Sequence, residues 1–209
     1  MFERRRDEVK FIINIPTDIK KKAYKHLFQN ELEQGAFLYS IYTEDIDKTN
    51  FNVVDYYLVP RSGWQIQSEF HLELKDSERA KIMKIARDKK YALIDCHSHI
   101  NLGRQVSFSP SDKAGINEFS GYVKWKLDGR PYIAIALNET SADAVGWHGD
   151  FGNPCRIDEI RIVGDKQKTI IPRYTWPGQV SYFYKEEKRS GRQKRKTSSF
   201  FGSRRSGKD

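Results

Sequence analysis

The sequence predicts an α/β (α+β) domain, a single mixed β-sheet packed by helices. Three observations predict it. Apolar runs of strand length alternate with stretches of helical periodicity. The 209 residues hold 12 Phe, 11 Tyr and 4 Trp, enough aromatic mass for a core although only 38% of the chain is hydrophobic. The length suits one domain with an appended tail, whereas a (β/α)8 barrel needs about 250 residues.

The elements follow in order. Residues 11–15 read as a short strand. Pro16-Thr17-Asp18 opens a helix, capped by Thr17, with Ala23, Leu27 and Phe28 on a sparse apolar stripe that carries it to Glu31 or Glu33. Residues 35–42 read as a buried strand, 51–60 as a second, and 70–74 as a short alternating third. Ser77 is the expected cap of a helix that places Ile82, Ile85 and Ala86 on one face. Residues 91–96 form a strand by composition, with Cys96 buried in it, and 101–109 a polar loop. Residues 110–124 read as a helix through Ala114, Ile116, Phe119 and Val123. Strands are expected at 132–137, 142–148, 155–163 and 168–171, giving the order β-α-β-β-β-α-β-α-β-β-β-β.

Charge divides the chain. Residues 185–209 hold ten Lys/Arg against three Asp/Glu, or +7 of the total +9, and show no apolar periodicity. The expected domains are therefore a folded body, 1–184, and a basic disordered tail, 185–209. No stretch approaches the roughly 18 apolar residues of a membrane span. The apolar run after the N-terminal arginines is shorter than the about 7–15 residues of a secretory segment. Two cysteines make no disulfide framework. The expected location is cytoplasmic, with no membrane partner.

The chemistry concentrates in Asp95-Cys96-His97-Ser98-His99, followed by Ser109-Pro110-Ser111-Asp112. The chain has five histidines, and two of them stand at i and i+2 at the end of an apolar strand. Such a pair projects to one face and can chelate one metal. Ser109, Pro110 and Asp112 also fit a helix start, with Ser at the cap and an acid at N3. At a helix mouth shortly after His99, Asp112 can complete a set of two histidines and one carboxylate with one position open, the set used by catalytic zinc. Glu33, before Gly35 and a buried strand, is the candidate base, although a helix-end glutamate before glycine is common.

Glu33 before Gly35 and an apolar strand, then His97-Ser-His99, then Ser109-x-x-Asp112, resembles the JAMM (JAB1/MPN/Mov34) metalloprotease family, in its short prokaryotic JAB-like branch. The resemblance spans residues 16–137. It implies a JAB/MPN-like fold with a cytidine-deaminase-like layout, and a Zn2+ ion held by His97, His99 and Asp112. It also implies that Glu33 is the catalytic acid–base and that Ser109 stabilises the tetrahedral intermediate. The implied reaction is isopeptide or peptide hydrolysis after the C-terminal tail of ubiquitin or a ubiquitin-like protein, either deconjugation or precursor processing. Partners implied are that modifier and E1/E2-like operon components, in a bacterial antiphage or sulfur-carrier setting. Two features depart from the family pattern. Ile100 stands where Pro is frequent, and nine residues rather than seven separate His99 from Ser109.

Other classes fit less of the sequence. Asp-x-His-x-His also opens barrel amidohydrolases, but those need further ligands downstream, where His148 is the one remaining histidine. A non-enzymatic JAB-like scaffold would be expected to lose ligands that here are all present. The basic tail, with Phe200 and Phe201 interleaved, offers phosphate contact and stacking for nucleic acid. The near-neutral body does not suggest a nucleic-acid substrate.

Overall fold

The alternating runs fold into one nine-stranded mixed sheet with helices on both faces. In the computed structural model, residues 9–100, 105–149 and 152–176 are described. The expected tail, 185–209, and the boundary at 184 lie outside them. Along the chain come β1 (Lys10–Pro16), α1 (Thr17–Leu27), β2 (Gly35–Glu44), β3 (Lys48–Leu58), β4 (Trp64–Gln67), β5 (Leu72–Leu74) and α2 (Asp76–Asp88). After them come β6 (Ala92–Ser98), α3 (Pro110–Lys126), β7 (Tyr132–Leu137), β8 (Ala142–Trp147), β9 (Cys155–Arg156), β10 (Glu159–Val163) and β11 (Lys168–Ile170). The sheet runs β11-β10-β1-β3-β2-β6-β7-β8-β9, and β4 with β5 forms a separate hairpin sheet. Pairs β1–β10, β1–β3 and β6–β7 are parallel, and the others are antiparallel.

Side-chain alternation builds two cores. Ile94, Cys96, Leu38, Ile133 and Ile135 face α1, which contributes Ile19, Ala23 and Leu27. Leu93, Phe37, Tyr132, Ala134 and Trp147 face α2 and α3, which supply Ile82, Met83, Ala86, Ile116 and Val123. Leu93 and Ile94 are both fully buried, on opposite faces. Each such side chain contributes roughly 1.5–3 kcal/mol, so burial from both sides fixes β6 as a central strand. The sheet curls: His148, just past β8, packs its ring 5.8 Å from Phe11 of β1, five positions away in strand order.

Several local expectations are corrected. Helix α1 ends at Leu27, not at Glu31 or Glu33. The Asn30 side chain accepts from the Leu32 amide (3.0 Å) and from Gln34 Nε2 (3.0 Å), a turn that competes with continued helix. Pro16 holds the cap position of α1, and Thr17 Oγ1 instead donates to the Val163 carbonyl, tying the helix to β10. Helix α2 begins at Asp76 after Lys75, without a side-chain cap, and Asp76 and Glu78 complement its dipole. Residues 155–163 divide into β9 and β10, because the chain crosses there from β8 to β1. Buried Ile157 and an Asp158 Oδ2 bond from the Phe11 amide (2.8 Å) pin the crossing. Trp64, between the strands expected at 51–60 and 70–74, starts β4 and is buried. Cys96 is buried and both cysteines are free, as the sequence predicts.

Candidate metal centre

Strand register brings the first three groups together. Gly35 pairs with His97 in the antiparallel β2–β6 ladder. The ladder continues one step further. The Ser98 amide donates to the Gln34 carbonyl (3.0 Å), and the Gln34 amide donates to Ser98 Oγ (2.9 Å). Glu33 therefore stands opposite His99. The His99 amide donates to the Leu137 carbonyl (2.8 Å), which keeps it extended beyond β6. With period two, Glu33, His97 and His99 share the face that packs against α3. Glu33 is itself held extended: its amide donates to the Ser68 carbonyl (3.0 Å) and its carbonyl accepts from Gln67 Nε2 (3.0 Å).

Helix α3 brings the fourth. Ser109 caps it: Oγ accepts from the Asp112 amide (3.1 Å), while Asp112 Oδ2 accepts from the Ser109 amide (2.7 Å). That same Oδ2 lies 3.2 Å from His99 Nε2 and 3.7 Å from His97 Nε2. The two Nε2 atoms are 3.0 Å apart. The capping bond and a position facing both histidines thus coexist in one carboxylate.

His97, His99 and Asp112 form a group able to hold one metal ion, with ligand atoms all within 4.8 Å of one another. The triangle has edges of 3.0, 3.2 and 3.7 Å. A tetrahedral zinc with bonds of 2.0–2.1 Å demands an edge of about 3.3 Å, so the residues fit that ion. Glu33 stands beside the triangle, its Oε1 3.7 Å from His99 Nε2.

Burial and charge set the protonation. Burial lifts the Glu33 carboxyl above its ordinary range, with His97 and His99 pulling it partly back. Burial alone would lower the His97 imidazole, but the facing Asp112 carboxylate, with Asp95 and Glu33 further off, holds it above its usual value. Burial would likewise raise Asp112, yet the facing His97 and His99 imidazoles, with the Ser109 amide, carry it far below the carboxylate range. Both shifts describe donors that attract a positive charge placed between them.

The site opens into a groove of about 400 Å³. One wall is built by Gly35, Trp64 and Leu74, the other by Ile116, Phe119 and Tyr122 of α3. Glu33, His97 and Asp112 stand in it. Gly35 is required here: a Cβ would sit 2.6 Å from Trp64 Cη2. Asp95 also faces the groove, accepts from the Tyr132 hydroxyl (3.3 Å), and is pushed by burial up to about 6. Its place at i−2 from His97 is the signal that could have found it.

Of the residues read from the sequence, Glu33, His97, His99 and Asp112 converge. Ser109 is adjacent through the cap, its Oγ 2.9 Å from Ser111 Oγ, and Ser111 rather than Ser109 lines the groove. The sequence matches no family model and no curated protein. Among the described residues no helix is long and apolar enough to cross a membrane.

Proposed function

We propose that the protein is a zinc-dependent isopeptidase or peptidase of the JAMM type, which hydrolyses the bond after the C-terminal tail of a ubiquitin-like protein. One observation carries the reading. Three metal-ligating side chains converge from β6 and α3, and strand register sets a fourth, proton-accepting carboxylate beside them without making it a ligand.

Zinc bound by His97, His99 and Asp112 supplies a water acidic enough to attack at neutral pH and a Lewis acid for the scissile carbonyl. Glu33, buried and with a raised pKa, takes the proton of the attacking water and returns it to the leaving amine. Ser109 Oγ accepts from the Asp112 amide and shares a 2.9 Å bond with Ser111 Oγ; with Ser111 as the donor in that bond, the Ser109 proton is left to donate to the developing oxyanion. The groove between β5 and α3, about 400 Å³ and lined by Trp64, Phe119 and Tyr122, is where the peptide tail would lie.

The test is cleavage of a panel of ubiquitin-like C-terminal fusions by the purified full chain. Zinc-dependent cleavage that stops with a chelator, resumes with added zinc and vanishes in Glu33→Gln is the expected result. Stoichiometric zinc without cleavage of any panel member would overturn the assigned reaction.

A further inference from the structure

The ligand Asp112 reaches the histidines from the start of a helix whose approach, residues 105–109, has no regular secondary structure. Side chains from the start of β8, from Ser141 just before it and from the segment after β11 supply its hydrogen bonds instead. Ser141 Oγ accepts from the Val106 amide (2.9 Å) and Arg173 Nη1 donates to the Val106 carbonyl (3.0 Å). Asp143 Oδ2 accepts from the Phe108 amide (3.0 Å) and from the Thr175 hydroxyl, and Oδ1 accepts from the Thr175 amide (3.1 Å). The Asp143 side chain is fully buried, so its oxygens have these donors in place of water.

We propose that Asp143 is a positioning residue for the metal centre, acting through the Phe108–Ser109 backbone on Asp112; this rests on the metal-centre reading above. Phe108 and Ser109 carry consecutive amides. The first is fixed by Asp143, and the second donates to Asp112 Oδ2, the oxygen that faces both histidines. A shift of the loop therefore moves the ligand oxygen within its triangle. Thr175 closes the frame from the other side, because its carbonyl accepts from Lys113 Nζ (2.9 Å), one residue beyond Asp112. Asp143 thus holds both ends of the chain that flank the start of α3, although it touches no ligand.

Asp143→Asn is the direct test, because it keeps the shape and turns an amide NH2 toward a backbone N–H. Zinc affinity of the full chain is measured by chelator competition, and geometry by the visible spectrum of the cobalt-loaded protein. Affinity should weaken 10–100-fold, the range for groups that orient metal ligands, with loss of the tetrahedral cobalt bands. Asp158→Asn is the control: Asp158 accepts the Phe11 amide in the same manner but away from the site. It should lower the melting temperature and leave affinity and spectrum unchanged. Wild-type affinity and spectrum in Asp143→Asn would overturn the inference. If that variant fails to fold, Thr175→Val decides, since it removes one donor and leaves the carboxylate. A smaller shift of the same kind supports the inference, and unchanged values overturn it. A wild-type chain that binds no zinc sinks the metal-centre reading and this inference with it. A chain that binds zinc but cleaves nothing sinks only the assigned reaction.

Discussion

The two ends of strand β2 each place a histidine against a carboxylate, and they do so for different ends. At Gly35, the start of the strand, His97 and His99 aim two nitrogens 3.0 Å apart at a shared point, with Asp112 completing the triangle. At Glu44, about 30 Å away along the strand at 3.3 Å per residue, His148 Nε2 meets Glu44 Oε1 at 3.1 Å. The rings of Phe11, Tyr42 and Phe51 surround that second imidazole at 5.8, 5.7 and 6.3 Å. The distal pair has the shorter contact, yet it offers one nitrogen, one carboxylate and an aromatic wall. Convergence of three donors, not the closeness of any two, distinguishes a candidate metal centre from a packed histidine–carboxylate contact.

The largest expected difference follows from deleting each histidine. His97→Ala should lose stoichiometric zinc and all hydrolysis together, read by elemental analysis of protein purified without chelator. His148→Ala should keep its zinc and lose only stability. Zinc retained in the first variant would erase the distinction.

The carboxylates come next. Glu33→Gln should keep the fold and the zinc while the rate of fusion cleavage falls by about 10²–10⁴, the usual contribution of a general acid–base group. Glu44→Gln and the exposed Glu31→Gln should cleave at near wild-type rate. Activity surviving in Glu33→Gln but not in Glu31→Gln would place the base two residues earlier in the chain.

A pH series sharpens the comparison further. In the metal-free protein His97 is held above its ordinary 6.5, so its stabilising contribution is complete below that value and fades as pH rises through the folded one. Asp112 is held below the carboxylate range, so its contribution is present above about pH 4 and fades only under strong acid. Zinc must displace the His97 proton, so the rise in melting temperature on adding zinc should grow between about pH 6 and 8. The growth should persist in His148→Ala and vanish in His97→Ala. A zinc increment flat across this range would contradict the protonation assigned to His97.

The smallest effect compares two glycines. Gly35→Ala drives a Cβ into the Trp64 ring and should cost about 1–3 kcal/mol by denaturant unfolding. Gly149→Ala, beside His148, meets open space and costs only its left-handed backbone, about 1–2 kcal/mol. The first should also alter cleavage of long substrates, because Trp64 walls the groove, and the second should not.

What the sequence made legible follows the reach of its periodicities. The His97–His99 pair, the α3 cap and the buried β6 strand are local patterns, and the structure contains each of them. Glu33 was legible as a residue but not as a geometry. The helix expected to carry it stops at Leu27, because Asn30 turns the chain, and Glu33 arrives on an extended segment. Strand β4 was hidden because Trp64-Gln-Ile-Gln is short and follows Gly63, so its partner β5 decides its state. Asp143 gave no signal. Its importance lies in the Phe108 and Thr175 amides, more than thirty residues away on either side, and no local window contains them.

The β2–β6 pairing makes the site obey a rule of parity. Glu33 faces the histidines because it lies an even number of residues from Gly35, and a strand inverts its faces at every odd step. One residue inserted between Glu33 and Gly35 would turn the carboxylate toward α1 and the opposite core. Asp112 obeys no such rule, since its place is set afresh by the cap at Ser109. The cap and its anchors all act on residues 106–112. A single-residue change before Gly35 would therefore take Glu33 off the face it shares with His97 and His99, whereas the place of Asp112 is set locally from Val106 onward.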